Sequence, residues 1–402
     1  MSVRLKDVVA TNRKALPETT DPDFSFRYVD ISAVSQGRID VPDEDLQFET
    51  APSRARRLAE PGDTVVSTVR TYLRAVARVP KTPDPLVFST GFAVLHPIAD
   101  RIDSRYLSYY CTSAPFIDSI VARSVGVSYP AINASEVADV RLGLPPLDEQ
   151  RRIADFLDTE TTRIGNLVKA REAQSVLLSE MTGPLLSQVL SCAGAKQVPL
   201  RYLSRIVDTE HRTAPVVIGG GHWIVGTSAV REGSIVVESL SETDSSTYAE
   251  WTRRAKPQPG DVLLSREAPV GQVGRVPEGG DPLAIGQRMV LIKPAPGVLD
   301  GAYLTWVLQS QETGLFIQDL TQGSLHPHLN MSDIGRVPVP WRPIAQQTQV
   351  AGRADAQISR IRDTIRRLAV SNTLLDERRR ALITAAVTGQ LDVTTARGID
   401  TR

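Results

Sequence analysis

The chain has 402 residues, enough for two or three domains that each bury a core of their own. Its 41% hydrophobic and 23% charged residues are typical of a soluble globular protein, and 46 basic residues balance 46 acidic ones, so net charge alone favours no partner. Two distant cysteines, Cys111 and Cys192, exclude a disulfide framework and a cysteine-rich metal site.

The N-terminal segment and the apolar stretches predict a cytoplasmic protein. Charges are spread through MSVRLKDVVATNRK, which has no apolar central segment, so we expect no signal peptide. No later stretch approaches the roughly 20 apolar residues that a membrane-spanning helix needs. The low cysteine content also favours a reducing compartment.

Residues 1–146 are predicted to form an α+β domain. Short β-prone runs occur near residues 26–31, 63–69 and 92–95, and glycine, proline and aspartate turns separate them. A helical pattern covers residues 106–121, in which Pro115 is expected to break or kink the helix.

Residues 147–192 are predicted to form one long helix. Apolar residues recur at intervals of three and four, as in a coiled coil. They are Ile153, Leu157, Ile164, Leu167, Val168, Leu178, Met181 and Leu185. The pair Gly183 and Pro184 should kink or end the regular helix, because proline lacks a backbone donor.

A second version of this helix closes the chain, which indicates an internal duplication. A constant shift of 197 positions holds for about forty residues. It pairs Pro146 with Pro343, Gln150 with Gln347, Asp158 with Asp355, Arg163 with Arg360, Leu178 with Leu375 and Leu185 with Leu382. Gly183 and Pro184 become Arg380 and Ala381, so the second helix should continue to a cap at Gly389.

The duplication predicts the domain organisation. Residues 193–342 form a second globule, in which the turn Pro61 to Asp63 recurs as Pro259 to Asp261. The last helix spans residues 343–392, and a tail of residues 393–402 follows. Each helix of about forty residues would be about 60 Å long and needs a cover for its apolar stripe. We therefore expect an α+β protein in which two repeated globules are joined by two antiparallel coiled-coil helices.

A search for catalytic motifs favours a non-catalytic protein. No glycine-rich loop ends in Lys-Ser or Lys-Thr, as a P-loop would. The turn Gly219 to Gly221 suits flexibility better than phosphate binding, because no helix follows it. His326 and His328 could ligate a metal or only occupy a loop. Asp63 and Asp261 invite a nuclease interpretation, but Pro-Gly-Asp is already a good turn.

Local charge is more informative than total charge, because both globules concentrate arginine in the same place. Arginine suits phosphate oxygens and the guanine edge, and a solvated charged face is the alternative. The first window contains Arg54, Arg56, Arg57, Arg70, Arg74, Arg78 and Lys81. The second contains Arg253, Arg254, Lys256, Arg266 and Arg275. We predict that these residues bind double-stranded DNA, with Tyr129, His326 and His328 as further candidates.

The chain resembles the specificity subunits of type I restriction-modification systems over nearly its whole length. The residues that carry the resemblance are Leu144, Pro145, Pro146, Leu147, Glu149, Gln150, Ile153 and Leu157 at the start of the first helix, and Ala385 to Gly389 at the end of the second. The second helix start departs from this pattern, since Leu144, Pro145 and Glu149 are replaced by Trp341, Arg342 and Gln346.

The resemblance implies a non-catalytic DNA reader. Two target-recognition domains would each read half of a bipartite sequence, and the paired helices would set the gap. Two methyltransferase subunits, which carry S-adenosylmethionine, would dock on the helices, and restriction subunits would join them. This chain would hold no cofactor. We expect Glu149, Gln150, Gln346 and Gln347 to contact the methyltransferase. A protein-protein adaptor and a self-contained nuclease are the competing hypotheses.

Overall fold

The computed structural model describes residues 2–191, 195–267, 269–321 and 328–393. The chain divides into two compact units, one of residues 1–171 and 369–402 and the other of residues 172–368. Each long helix therefore contributes residues to both units.

The first unit contains twelve strands among its described residues, all before the first long helix. They are β1 Ser2–Arg4, β2 Val9–Thr11, β3 Ser25–Val29, β4 Val34–Ser35, β5 Arg38–Ile39, β6 Leu46–Gln47, β7 Ala55–Ala59, β8 Thr64–Ser67, β9 Val76–Arg78, β10 Leu86–Ser89, β11 Phe92–Pro97 and β12 Arg141–Gly143. Its helices are α1 Ser104–Thr112, α2 Ala114–Arg123, α3 Ala134–Ala138 and the beginning of α4 Leu147–Glu180. Single 3-10 turns occupy Leu5–Asp7, Ile31–Ala33 and Thr71–Leu73.

The second unit repeats most of this order. Its strands are β13 Gln197–Pro199, β14 Ser204–Asp208, β15 His222–Val225, β16 Val230–Arg231, β17 Ser234–Ile235, β18 Ser241–Thr243, β19 Val262–Ser265, β20 Val273–Arg275, β21 Leu283–Ile285, β22 Met289–Pro294 and β23 Pro338–Pro340. Its helices are α5 Thr182–Leu190, α6 Ser245–Trp251, α7 Gly301–Leu308, α8 Gln311–Thr321, α9 Met331–Arg336 and the beginning of α10 Ile344–Val387. Its 3-10 turns are Leu200–Tyr202, Thr227–Ala229 and Val237–Ser239.

The first unit has an antiparallel sheet, in the order β2-β11-β8-β9, buried on both faces. Because side chains alternate along a strand, Val65 of β8 packs toward a second sheet, β6-β3-β10-β7. Val66 packs on the other side, against α1, α2 and the long helices. Burial on both faces explains why β8 is apolar throughout its centre rather than alternating.

The second unit is built on the same plan, so the predicted duplication is confirmed. Its central sheet has the order β14-β22-β19-β20, and β15 pairs with β21 in parallel as β3 does with β10. Leu263 of β19 faces one core and Leu264 the other. The units differ at one edge, where α6 packs on β15 and β21.

The predicted helix interruptions are confirmed, and local chemistry explains them. The helical pattern of residues 106–121 breaks at Ser113, and Pro115 lies in the first turn of α2, where its missing N–H costs nothing. The first long helix is interrupted at Met181, since Pro184 has no N–H for the Glu180 carbonyl. Helix α10 runs unbroken to Val387, and Gly389 follows with a φ of +75°.

Two buried glutamines attach the starts of the long helices to the sheet domains. In the first unit, Gln150 accepts from the Asp103 N–H at 2.8 Å and donates to the carbonyls of Pro145 at 2.9 Å and Arg101 at 3.3 Å. Gln347 repeats this arrangement in the second unit. It accepts from the Asp300 N–H at 2.9 Å and donates to the carbonyls of Arg342 at 2.7 Å and Val298 at 2.8 Å.

Within each unit, the long helices share a core with the sheet domain. In the first unit, Ile153 and Leu157 of α4 belong to the same cluster as Ile383 and Ala386 of α10. In the second unit, a corresponding cluster unites α5 and α10. The residues that α5 and α10 contribute to this cluster are Leu186, Leu190, Val350, Ala351, Ala354 and Ile358.

No helix within the described ranges is long and apolar enough to cross a membrane. Cys111 is buried and has no disulfide partner among the described residues, whereas Cys192 lies outside them. Most of the predicted tail, residues 394–402, also lies outside the described residues.

The glutamine arrangement predicts a sharp contrast between two adjacent side chains. Gln347→Leu should lower the free energy of unfolding by about 2–4 kcal/mol, because three buried backbone groups lose their partner. Gln346→Leu, one residue earlier and exposed, should change it by less than about 0.5 kcal/mol. Urea unfolding of both variants measures the difference. Equal stabilities would contradict an anchoring role for Gln347.

Candidate DNA interface and helix starts

Basic residues of the first arginine window lie at two opposite ends of strand β8. Arg70 follows the end of the strand at Ser67, whereas Arg78 of β9 pairs with Thr64 at the beginning. Arg78 and Lys81 therefore lie at the opposite end of β8 from Arg70 and Arg74. The same holds in the second unit, where Arg266 follows Ser265 and Arg275 pairs with Val262. One continuous stretch of sequence thus supplies two separate surfaces.

Two loops meet at the Ser67 end of the first unit, and we call residues 68–74 and 124–132 the first loop pair. Backbone hydrogen bonds hold these loops together. The Arg70 N–H donates to the Pro130 carbonyl at 2.7 Å, and the Ile132 N–H donates to the Thr68 carbonyl at 2.9 Å. The hydroxyls of Thr71 and Ser124 add a contact of 2.8 Å.

The first loop pair displays arginine and aromatic side chains on a strained backbone. Arg70 and Arg74 have φ angles of 51° and 57°, a left-handed conformation that costs a non-glycine residue about 1–3 kcal/mol. The Arg70 guanidinium lies 4.3 Å from the centre of the Tyr129 ring, and Tyr129 is 64% exposed. The same two loops carry further exposed apolar side chains, namely Tyr72, Leu73, Val125 and Val127. Such a surface suits stacking and apolar contact as well as charge.

Arg54 adjoins the first loop pair, because the turn between β10 and β11 connects them. The Thr90 N–H donates to the Arg54 carbonyl, and the Thr68 N–H donates to the Gly91 carbonyl, each at 2.8 Å. The Arg54 side chain is exposed and forms an ion pair with Asp30 at 2.6 Å. Its neighbours on β7 are half-buried. Arg56 lies over the Phe48 ring, and Arg57 has a buried Nε without a partner among the described residues.

A second loop pair, residues 266–267 and 328–329, occupies the corresponding place in the second unit, and the turn of residues 286–288 adjoins it. The Arg266 N–H donates to the Arg288 carbonyl, and the Leu329 N–H donates to the Arg266 carbonyl, each at 2.9 Å. Arg266 is only 7% exposed, and its guanidinium contacts Asp208 at 2.8 Å and His328 Nε2 at 2.9 Å. The structure thus joins two predicted residues, Arg266 and His328. His326 lies outside the described residues.

Asp208, which holds Arg266, connects this loop pair to other predicted residues. Arg254 is exposed, and it donates to the carbonyls of Asp208 at 3.1 Å and Thr209 at 3.0 Å. Burial alone would raise the pKa of Asp208, but the contacts with His211 and Arg266 outweigh it and lower that pKa, so the carboxylate stays charged.

Two other cations lie nearby and are exposed. Arg253 is 3.8 Å from Glu210, and the Lys256 ammonium lies 5.9 Å from the centre of the Tyr248 ring.

At the opposite end of the strands, the aspartates of the Pro-Gly-Asp turns are buried and bonded. Asp63 contacts His96 Nδ1 at 2.7 Å and accepts from the Glu60 N–H at 2.8 Å. Asp261 pairs with Lys293 and accepts from the Gln258 N–H at 2.8 Å. Both side chains therefore serve the turn. In the glycine turn, the Gly221 N–H donates to Glu242 at 3.0 Å, so an internal carboxylate occupies that donor.

At the start of each long helix, one of the two residues predicted to contact a partner is exposed and the other is buried. Glu149 is exposed and, with Arg152, lines a cavity of about 380 Å³ beside the end of α10, residues 386–393. Gln346 is also exposed. Gln150 and Gln347 are buried, and their amides are used by the backbone bonds described above. Of the four residues predicted to contact a partner, only Glu149 and Gln346 are therefore exposed.

Arg288 lies beside the second loop pair, although the sequence analysis did not predict it as a candidate. It has a left-handed φ of 70° and forms an ion pair with Glu267 at 3.1 Å. The shift of 197 positions pairs it with Gly91, whose carbonyl also binds the loop pair. An arginine in the place of a glycine turn is the signal that would have revealed it.

Comparison with known proteins agrees with this geometry. Residues 1–174 match the family model described as "Type I restriction modification DNA specificity domain". The chain is 22% identical to the MjaX type I restriction enzyme specificity subunit of Methanocaldococcus jannaschii, over 97% of this chain and 93% of that protein. It is 21% identical to the EcoBI specificity subunit of Escherichia coli, over 72% of this chain and 66% of that protein.

Solved structures show the same fold. One, from work on complex assembly and conformational transition of the type I R-M system, has a TM-score of 0.74 and 25% identity, covering 97% of this chain and 98% of the other. The HsdS subunit of Thermoanaerobacter tengcongensis has a TM-score of 0.55 and 24% identity, covering 97% of each chain. Residues 1–174 therefore belong to the type I restriction-modification DNA specificity family, and the chain as a whole is similar to specificity subunits, which are themselves non-catalytic.

Proposed function

We propose that each unit reads one half of a bipartite DNA target through its loop pair. The observation that carries this proposal is the contact of Arg70, on a strained loop, with Tyr129, on a second loop that backbone bonds hold beside the first. Strain retained at an exposed loop is a mark of a functional surface. Arg266 and His328 occupy the corresponding edge of the second unit.

The chemistry of the loop pairs suits the edges of bases. A guanidinium can donate two hydrogen bonds to guanine, and an exposed aromatic or apolar side chain can contact a thymine methyl group. Arg266 is oriented by Asp208 before any ligand arrives, which reduces the entropy lost on binding. Arg54, Arg253 and Arg254 are exposed around these loops and Arg74 is half-buried, and all four suit phosphate contacts, which position the protein without specifying sequence.

The long helices would set the distance between the half-sites as an antiparallel coiled coil. Support comes from each unit separately. In the first unit the beginning of α4 shares a core with the end of α10, and in the second α5 shares a core with the beginning of α10. Two readers on a rigid spacer restrict the half-sites to a defined separation along the duplex.

Methyltransferase subunits would dock at the helix starts, with restriction subunits completing the assembly. Glu149 is the stronger contact in this proposal, because it is charged, exposed and next to a cavity. Gln346 takes its place in the second unit and offers only an amide. The two docking surfaces are therefore unequal in charge.

The strand geometry predicts different effects for two arginines of one sequence window. Arg70→Ala should weaken binding to the cognate duplex at least fivefold, because a bidentate base contact contributes about 1–3 kcal/mol. Arg78→Ala removes the same charge at the opposite end of β8 and should change the affinity less than twofold. Binding of a labelled duplex by the assembled methyltransferase complex, at fixed salt concentration, measures both.

The pair of variants also separates the competing hypotheses. Equal losses would indicate that general charge rather than the loop pair binds DNA. Loss in neither variant, with binding of the methyltransferase retained, would favour the protein-protein adaptor.

The helix-start proposal predicts loss of assembly from a single charge reversal. Glu149→Arg should reduce co-purification of the methyltransferase by at least tenfold, because it places a cation beside Arg152 in the docking cavity. Glu238→Arg makes the same change at an exposed residue of a 3-10 turn, and it should leave assembly unchanged. Full co-purification with the Glu149 variant would refute the assignment of this surface.

A further inference from the structure

We propose that a cavity in the first unit binds a small ligand that carries two or more phosphate groups. The cavity has a volume of about 470 Å³ and lies between the β4–β5 hairpin, the end of β9, α1, α4 and the last turns of α10. Four of its lining residues are arginines, namely Arg78, Arg105, Arg379 and Arg380. Two, Asp158 and Asp376, are acidic, so the lining carries a net positive charge.

Internal bonds use one arginine and one aspartate of this set. Arg105 contacts Asp155 at 2.6 Å and Asp158 at 2.9 Å. Asp158 also accepts from the Tyr109 hydroxyl at 2.7 Å. Burial raises the pKa of Tyr109 to about 12, so this hydroxyl keeps its proton. The charges of Arg105 and Asp158 thus neutralise each other in the wall of the cavity.

Three arginines remain for a ligand. Within the described ranges, Arg78, Arg379 and Arg380 form no ion pair, and only Asp376 opposes them in the lining. Arg379 approaches the hairpin closely, since its Nη2 lies 3.3 Å from the position of a Cβ on Gly37. Unpaired guanidinium groups gathered around one cavity repel each other, and an anion between them removes that repulsion.

The second unit shows that the fold does not require these charges. The equivalent of Arg78 is Arg275, which lies 3.8 Å from Asp355 and so has an acidic neighbour. Trp306 replaces Tyr109 and donates to the same aspartate at 2.9 Å.

The hairpin of the second unit also lies closer to its helix. A Cβ on Gly233 would lie 2.7 Å from Gln309 Nε2, 3.0 Å from Thr305 Cγ2 and 3.4 Å from the Trp306 ring. The shift of 197 positions places Thr182 and Gly183 where the first unit has Arg379 and Arg380. An uncharged and more closely packed arrangement therefore satisfies the same fold.

The chemistry of the cavity selects its ligand. Planar guanidinium groups bind phosphate in a bidentate manner, and several of them favour more than one phosphate group. The volume is within the range of sites for small ligands, and the Tyr109 ring, Pro80 and Ile383 provide apolar wall for a base or similar group. The Arg78 wall lies at the opposite end of β8 from the first loop pair, so the site is separate from the proposed DNA-reading surface.

Calorimetric titration of the purified full-length chain with pyrophosphate and with ADP tests this proposal, at fixed ionic strength and with sulfate and adenosine for comparison. We expect one site per chain for pyrophosphate, for ADP or for both, and much weaker binding of sulfate and adenosine. Arg379→Gln and Arg78→Gln should each lower the affinity at least tenfold. Arg378→Gln, on the same turn but outside the cavity lining, should change it less than twofold.

Urea unfolding of each variant checks that the fold is kept, and Arg379→Lys, which retains the charge without the bidentate geometry, should bind with intermediate affinity. Absence of binding by both phosphate ligands would overturn the proposal, as would equal affinities in the cavity variants and Arg378→Gln. Binding of duplex DNA alone, weakened by Arg379→Gln, would assign the cavity to nucleic acid and overturn it too. None of these results depends on which loops read DNA.

Discussion

A glutamine side chain at the start of each long helix makes three hydrogen bonds that connect the helix to the sheet domain of its unit. Gln150 and Gln347 bind backbone groups at the same relative positions. Each accepts from the N-cap residue of a short helix, which is Asp103 of α1 or Asp300 of α7. An amide can both donate and accept, which neither an apolar nor an acidic side chain of that size can do at neutral pH. These bonds fix the start of each long helix to the sheet domain of its own unit.

The duplication supplies a comparison within one molecule. Interactions found in both units belong to the scaffold, such as the bond from Tyr106 to the Gly143 carbonyl and from Tyr303 to the Pro340 carbonyl. Interactions that differ between the units, such as those of Arg78 and Arg275, are not needed to form the scaffold. Chemical differences between the units therefore indicate positions that the scaffold leaves free to change.

Local chemistry made the helices and their interruptions predictable, because a proline such as Pro184 acts on its own turn. The α+β class and the repeat followed in the same way from short-range patterns. The division of the arginine window was not predictable, since it depends on the pairing of Arg78 with Thr64 across two strands. Burial of Gln150 and Gln347 was equally hidden, because their partners Asp103 and Asp300 are 47 positions away in the chain. The left-handed backbone at Arg70 and Arg74 also has no sequence signature, because arginine usually avoids this conformation.

The loop pairs are joined mainly through main-chain atoms. The bonds from Arg70 to Pro130, from Ile132 to Thr68 and from Leu329 to Arg266 all use N–H and carbonyl groups, which almost every residue possesses. Side chains on these loops can therefore be exchanged without loss of the bonds that shape them. A surface of this kind tolerates mutation of its exposed side chains and resists mutation underneath, so its chemistry can change by point substitutions while the frame persists.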